Sequence, residues 1–220
     1  MGTITRNAAN NFTTGGVILP AAINDTSVAS ISELENAAAG SALTLISEQT
    51  ASNSSSISFT SGIDSTYPIY RFEFINIHPQ TDSVKFQFNL STDGGSNYNV
   101  TKTTSHFWTA NYETLGIDYF TYGDTLDLAQ STSFQIITDN VGNQNDESSS
   151  GTMTLFNPSS DTFVKHFMTD INTYGQDNSS YRNLVAGYGN TTNAIDAVQF
   201  KMASGNIDSG KIKLYGISGS

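Results

Sequence analysis

The strongest constraint on this chain is a period of two. Tyr70, Phe72 and Phe74 alternate with Arg71 and Glu73, and Val84, Phe86, Phe88 and Leu90 alternate with Lys85, Gln87 and Asn89. Successive side chains of an extended strand point to opposite faces, so this pattern buries one face of each segment and leaves the other in water. Both stretches read as half-buried strands. Asn76 to Ser83, which contains His78-Pro79 and Asp82, reads as a turn joining them in a hairpin. Asp93-Gly94-Gly95-Ser96 then supplies residues that accept positive φ for the next reversal, giving an antiparallel meander. Further strands are expected at 43–50, 56–60, 152–156, 163–169, 181–186, 197–202 and 211–215, separated by turn formers such as Asn157-Pro158-Ser159-Ser160. Nine or so short strands without an amphipathic helix between them predict an all-β fold, an antiparallel two-sheet β-sandwich that is jelly-roll-like. Residues 111–145 hold Tyr112, Tyr119, Phe120 and Tyr122 but no sustained period, and read as a long excursion at one end of the sandwich.

Aromatic residues divide the chain in two. Phe12 is the only one in residues 1–40, which are therefore expected to form an extended N-terminal arm, whereas 41–220 form the sandwich. Within the arm, Ser30 and Glu33 have capping-box spacing, Ile31 and Leu34 share a helical face, and Gly40 follows three alanines, so one short helix is expected at about 30–39. Phe12, Val17, Ile18, Leu19 and Ile23 are too few to bury one another and are expected to dock into a partner.

Charge narrows the partners. Nine Lys and Arg face 20 Asp and Glu, for a net charge of −11, which repels phosphate backbones and anionic lipid. No nucleic acid and no membrane are expected as partners. No segment reaches the roughly 20 apolar residues of a spanning helix, and Met1 to Arg6 is not a basic region followed by an apolar run. With no cysteine there is neither a disulfide framework nor a thiolate metal site. Solvation rests instead on uncharged groups, since Ser, Thr and Asn make up 77 of 220 residues.

Motifs for chemistry are weak. Gly205 to Ile212 has the Gly and Gly-Lys spacing of a phosphate-binding loop, yet Ile212 stands where a metal-holding hydroxyl belongs, and Lys211 to Tyr215 alternates as a strand. A plain hairpin turn is expected there. His78, His106 and His166 lie far apart and share no two-histidine spacing. Any two of the acids could come together as a glycosidase pair after folding, but no pair sits in a recognisable context. Residues 139–147 are rich in oxygen ligands without the order of an EF-hand, so a solvated loop and a Ca²⁺ site both stay open. The seven Asn-x-Ser/Thr triplets are about as many as residue frequencies alone produce. No enzyme activity and no cofactor are expected. Phe107, Trp108, Tyr112, Tyr119 and Tyr122 are either core or a contact patch, with Trp108 and Tyr112 the expected exposed pair for ligand or subunit contact.

Four stretches together resemble a family of tailed-bacteriophage structural proteins abundant among marine phages: Phe88 to Tyr98, Thr154 to Ser160, Val164 to Phe167, and Ser204 to Gly216 with its SGNIDSGKIKLYG run. The likeness spans about 41–217. It implies a non-enzymatic β-rich virion component, placed as a head decoration protein, fibre or tail appendage, and brings no catalytic residues. On that expectation the chain resides in the virion after assembly in the host cytoplasm. It associates with itself, a trimer being one form, and with the major capsid protein or another virion protein. A head position is preferred because 220 residues leave no room for a fibre shaft; the alternative is a tail fibre or appendage that binds a host surface glycan through Trp108 and the 111–145 excursion. Deleting residues 1–25 is expected to abolish incorporation into particles while leaving the β domain folded, as read by particle composition and circular dichroism; normal incorporation rejects the docking role of the arm.

Overall fold

The computed structural model describes residues 43–114 and 118–218. The expected arm, with Phe12, Val17, Ile18, Leu19, Ile23 and the helix at 30–39, lies outside the described residues. Twelve strands follow one another: β1 (Leu43–Ser54), β2 (Ile57–Phe59), β3 (Ile69–Pro79), β4 (Val84–Ser91), β5 (Lys102–Tyr112), β6 (Asp118–Tyr122), β7 (Gln135–Val141), β8 (Ser149–Phe156), β9 (Lys165–Gly175), β10 (Ser179–Gly189), β11 (Ala197–Met202) and β12 (Ile207–Ile217). All pairings are antiparallel and no helix occurs among the described residues, as the alternating pattern predicts.

The strands form two unequal layers. Eight run in the order β1-β12-β3-β8-β9-β10-β5-β6 and four in the order β2-β11-β4-β7. Backbone pairing passes between the layers at one point, where Val141 of β7 lies opposite Gly175 of β9, so the sandwich is nearly closed along that corner. The inward faces meet in an aromatic core. Phe200 of β11 lies 5.1 Å from both Phe72 and Phe74 of β3, 6.0 Å from Phe86 and 6.3 Å from Phe88 of β4, and 6.4 Å from Phe59 of β2, by ring centroids. Most of these pairs are edge-to-face, the arrangement that sets a positive ring edge against a negative ring face.

Several connections differ from the sequence expectation. β3 continues through His78 to Pro79, and it belongs to the large layer while β4 belongs to the small one, so residues 80–83 cross between layers and close no hairpin. Residues 203–206 likewise carry the chain from β11 to β12 across the layers, and the phosphate-loop lookalike ends inside strand β12, where Lys211 Nζ donates to Glu48 Oε1 of β1 at 2.8 Å. The meander is therefore replaced by long-range pairing: β1 lies beside β12 and β2 beside β11. True hairpins occur at β5–β6, β8–β9 and β9–β10.

β5, β6 and β7 lack a clean alternating pattern in the sequence. The inward residues of β5 include Lys102, Thr104 and His106, all buried although polar. β6 carries aromatics on both faces. β7 contains two register shifts against β4, which break period two. The supposed excursion at 111–145 thus contains β6, β7 and the end of β5.

One buried cation ties loops to this frame. Lys165 is fully buried at the start of β9, and its Nζ lies 2.5 Å from Ser160 O, 2.8 Å from Phe163 O, 3.2 Å from Thr192 O and 3.4 Å from Thr191 O. The ammonium replaces water with four carbonyls drawn from two loops.

Phe200→Ala removes the ring shared by both layers and is expected to destabilise the protein by about 3–5 kcal/mol, read from denaturant midpoints at constant slope. A loss below about 1 kcal/mol would mean that the layers are held together elsewhere.

Candidate functional site

The inner face of the large layer changes character along its width. Under β3 and β8 it is aromatic and aliphatic. Under β9, β10 and β5 the cross-strand rows read Lys165-Gly189-Lys102, Phe167-Gly187-Thr104, Thr169-Val185-His106, Ile171-Asn183-Trp108 and Thr173-Tyr181-Ala110. The four-stranded layer cannot cover eight strands, and this polar half meets its edge at β7 together with the segment 123–134. Backbone bonds from Lys102 N to Ser131 O (2.8 Å), Thr104 N to Leu128 O (2.9 Å) and Gly123 N to His106 O (2.8 Å) fix that segment along β5.

Lys102 is fully buried and its Nζ donates to Val100 O at 2.7 Å and to Asn89 Oδ1. No carboxylate pairs with it among the described residues. Burial therefore pushes the ammonium down to about 7. Four residues further along β5, Nε2 of the buried His106 meets Asn183 Oδ1 at 3.2 Å, and burial lowers the imidazole below its ordinary value against the opposing pull of Asn183 and the Asp139 charge.

Trp108 stands at the open end of this face. Its ring lies 5.7 Å from Tyr181 and 6.4 Å from Tyr119. Tyr112, four residues further along β5, places its hydroxyl 3.3 Å from the Tyr181 hydroxyl, which also donates to Asp177 Oδ2 at 2.7 Å and accepts from Asn140 Nδ2 at 3.3 Å. Burial, followed by the bonds to Tyr112 and Asp177, raises the Tyr181 phenol well above its ordinary value. Burial raises the Asp177 carboxyl too, but hydrogen bonds from Ser179 and Tyr181 outweigh it and hold the group below the usual carboxylate range.

A bulge in β7 completes the arrangement. Between the pairs Val84–Val141 and Phe86–Thr138, β7 spends one residue more than β4, and Asn140 takes φ +57° there. Bulges redirect side chains, and here Asp139 and Asn140 come to line a cavity of about 310 Å³ with Ser83, Trp108, Tyr181 and Asn183. Asp139 Oδ1 accepts from Asn140 N at 2.9 Å, and Asn140 Oδ1 accepts from Ser83 Oγ at 2.7 Å. Asn183 is fully buried, and its Nδ2 has no hydrogen-bond partner among the described residues. A donor left in that state costs about 1–3 kcal/mol.

The opposite face of the same strands is different. Among the described residues β6 is the edge of the large layer, pairing with β5 alone. Phe107 stacks on Phe120 at 6.0 Å and meets Tyr122 edge-on at 5.0 Å, all three on the outer surface. They are 37%, 71% and 44% exposed.

The sequence-predicted pair Trp108 and Tyr112 keeps Tyr119 as a neighbour but is split from Phe107 and Tyr122, which lie on the other face. Trp108 and Tyr112 are half-buried on the inner face, whereas the exposed rings are Phe107, Tyr119, Phe120 and Tyr122. Asp139 and Asn140 fall in the oxygen-rich stretch 139–147 and Tyr181 and Asn183 in the strand expected at 181–186, and no motif joined the two segments. The histidines do not converge: His78 binds Gln144 O and faces Asp208, His106 is internal, and His166 packs on Tyr188. In the 139–147 loop, Glu147 is buried and folds back to accept from Gln144 N at 2.6 Å, and no group of three or more His, Asp or Glu suited to a metal occurs among the described residues. No protein-family model, curated protein or solved structure matches the chain.

Lys102 gives a pH dependence with a definite sign. Below pH 7 the ammonium is charged in both folded and unfolded chains, and its burial opposes folding. Between about 7 and its ordinary value of 10.5 the unfolded chain holds a proton that the folded chain has released, so stability rises with pH. Lys102→Met is expected to flatten this rise in urea titrations from pH 6 to 10; parallel curves for the two proteins would show that Lys102 does not titrate as buried.

Proposed function

We propose that this chain is a non-catalytic structural protein of a tailed-phage virion, on the capsid exterior, and that copies associate through the outer aromatic edge of β5 and β6. The observation that carries this reading is the exposed Phe107–Phe120–Tyr122 stack beside a sheet edge that no strand pairs among the described residues. An edge strand presents unpaired backbone N–H and C=O groups, and proteins that stay monomeric blunt such edges with charge, proline or a covering segment. Here the edge is lined by aromatic rings.

The occupant that fits is a second copy of the chain. Two β6 strands set antiparallel about a two-fold axis satisfy each other's backbone groups, and the contact is self-complementary, so the outer-face rings Phe120 and Tyr122 of the two β6 strands become cross-strand neighbours. A neutral aromatic contact also suits a chain of net charge −11, whose copies repel most strongly where charges would have to meet. The resemblance to phage structural proteins supplies the setting. In that setting, Phe12, Val17, Ile18, Leu19 and Ile23 provide the attachment to the capsid or a neighbouring subunit, and immunogold labelling of intact particles separates a head position from a tail appendage.

Sedimentation velocity of the full chain at about 10 μM is expected to show an oligomer, and Phe120→Glu to convert it to a species about half that mass with its circular dichroism spectrum unchanged. A wild-type monomer, or an oligomer indifferent to Phe120→Glu, overturns the edge as the contact.

A further inference from the structure

We propose that the cavity formed by Trp108, Asp139, Asn140, Asn183, Tyr181 and Ser83 binds one pyranose ring of a saccharide. A pyranose has a face of C–H groups and a rim of hydroxyls that each donate and accept. It needs an aromatic wall on one side and planar polar groups of both polarities on the other. The cavity offers that division. Trp108 forms the wall, the amides of Asn140 and Asn183 bring donors and acceptors, and Asp139 Oδ2 receives no hydrogen bond from the described residues, so it is free to accept from a hydroxyl.

Size and charge select the ligand class. At about 310 Å³ the cavity is at the small end of the ~300–1,000 Å³ range of ligand sites, which suits a single ring with the rest of a chain leaving past exposed Ser83. No Lys or Arg lines it, and the Asp139 carboxylate does, so phosphate and sulfate esters are repelled. The geometry is also held in advance. Asn140 sits in the left-handed region at the β7 bulge, tied to Ser83 and Tyr181, and Asn183 is fixed by His106, so little ordering is left for the ligand to impose. A hydroxyl near the floor gives Asn183 Nδ2 the acceptor that the protein does not.

The site is separate from the self-association edge, because Trp108 and Asn183 lie on the inner face of β5 and β10 and Phe107, Phe120 and Tyr122 lie on the outer face. Either can fail without the other.

Trp108 is the only tryptophan of the chain, so intrinsic fluorescence reads this cavity directly. Full-length protein is titrated with D-glucose, D-galactose, D-mannose and N-acetyl-D-glucosamine up to about 100 mM, with choline as the competing cationic ligand that an indole and a carboxylate would also attract. At least one sugar is expected to change the emission saturably, with half-saturation below about 10 mM, and Asp139→Asn to raise that value about 10-fold or more with an unchanged circular dichroism spectrum. Should Asp139→Asn fail to fold, Trp108→Phe followed by titration calorimetry carries the same test, with loss of affinity expected. The proposal is overturned by no saturable response to any of the four sugars, by a response to choline alone, or by sugar affinity indifferent to these substitutions.

Discussion

The packing of Phe200 between the two layers is the contact on which the rest of the structure depends. Its neighbours Phe72 and Phe74 come from the large layer, and Phe59, Phe86 and Phe88 from the small one. Among the described residues, backbone pairing between strands of the two layers gathers at the β7–β9 corner, so elsewhere the faces meet through their side chains. Most strand pairs also join segments far apart in sequence, so loop closure must be offset by burial rather than by local turns. An aromatic cluster that draws on β2, β3, β4 and β11 at once supplies that burial.

Inequality of the layers explains where polar chemistry collects. Four strands cover the aromatic half of an eight-stranded face, and the remainder meets only an edge and a loop segment. Side chains there are held by specific bonds: Lys102 to Val100, His106 to Asn183, and Thr104 to Gln135 at 2.6 Å. Buried polar groups need such partners, and they resist alternative packings more strongly than a uniform apolar core does. The cavity beside Trp108 lies where this cover runs out, and the bulge at Asn140 shapes its wall.

Period two and the turn formers between apolar runs were enough to read at least part of β1, β2, β3, β4, β8, β9, β10, β11 and β12 from the sequence. They missed β5, whose inner face is polar, β6, which has aromatics on both faces, and β7, which is bulged twice against β4. Lys102, Thr104 and His106 look like solvent-facing positions until the neighbouring strands cover them. The connections were equally hidden: Asp93-Gly94-Gly95-Ser96 does bring two glycines to positive φ, but a turn signal does not say whether the chain returns beside its own strand or crosses to the other layer. Trp108 could be singled out as an unusual residue. Its partners could not, since Asp139, Asn140, Tyr181 and Asn183 are assembled by register and a bulge.

The pairing of β1 with β12 sets Leu43 opposite Ile217, so entry to and exit from the sandwich lie side by side at one margin. Tension applied through both ends would act across this ladder at its terminal rung and open it like a zipper, one pair after another, instead of shearing all rungs together. Resistance to pulling is therefore low along that axis, whatever the equilibrium stability of the core. The same adjacency lets the domain sit as an insert between two neighbouring points of a larger body without straining either.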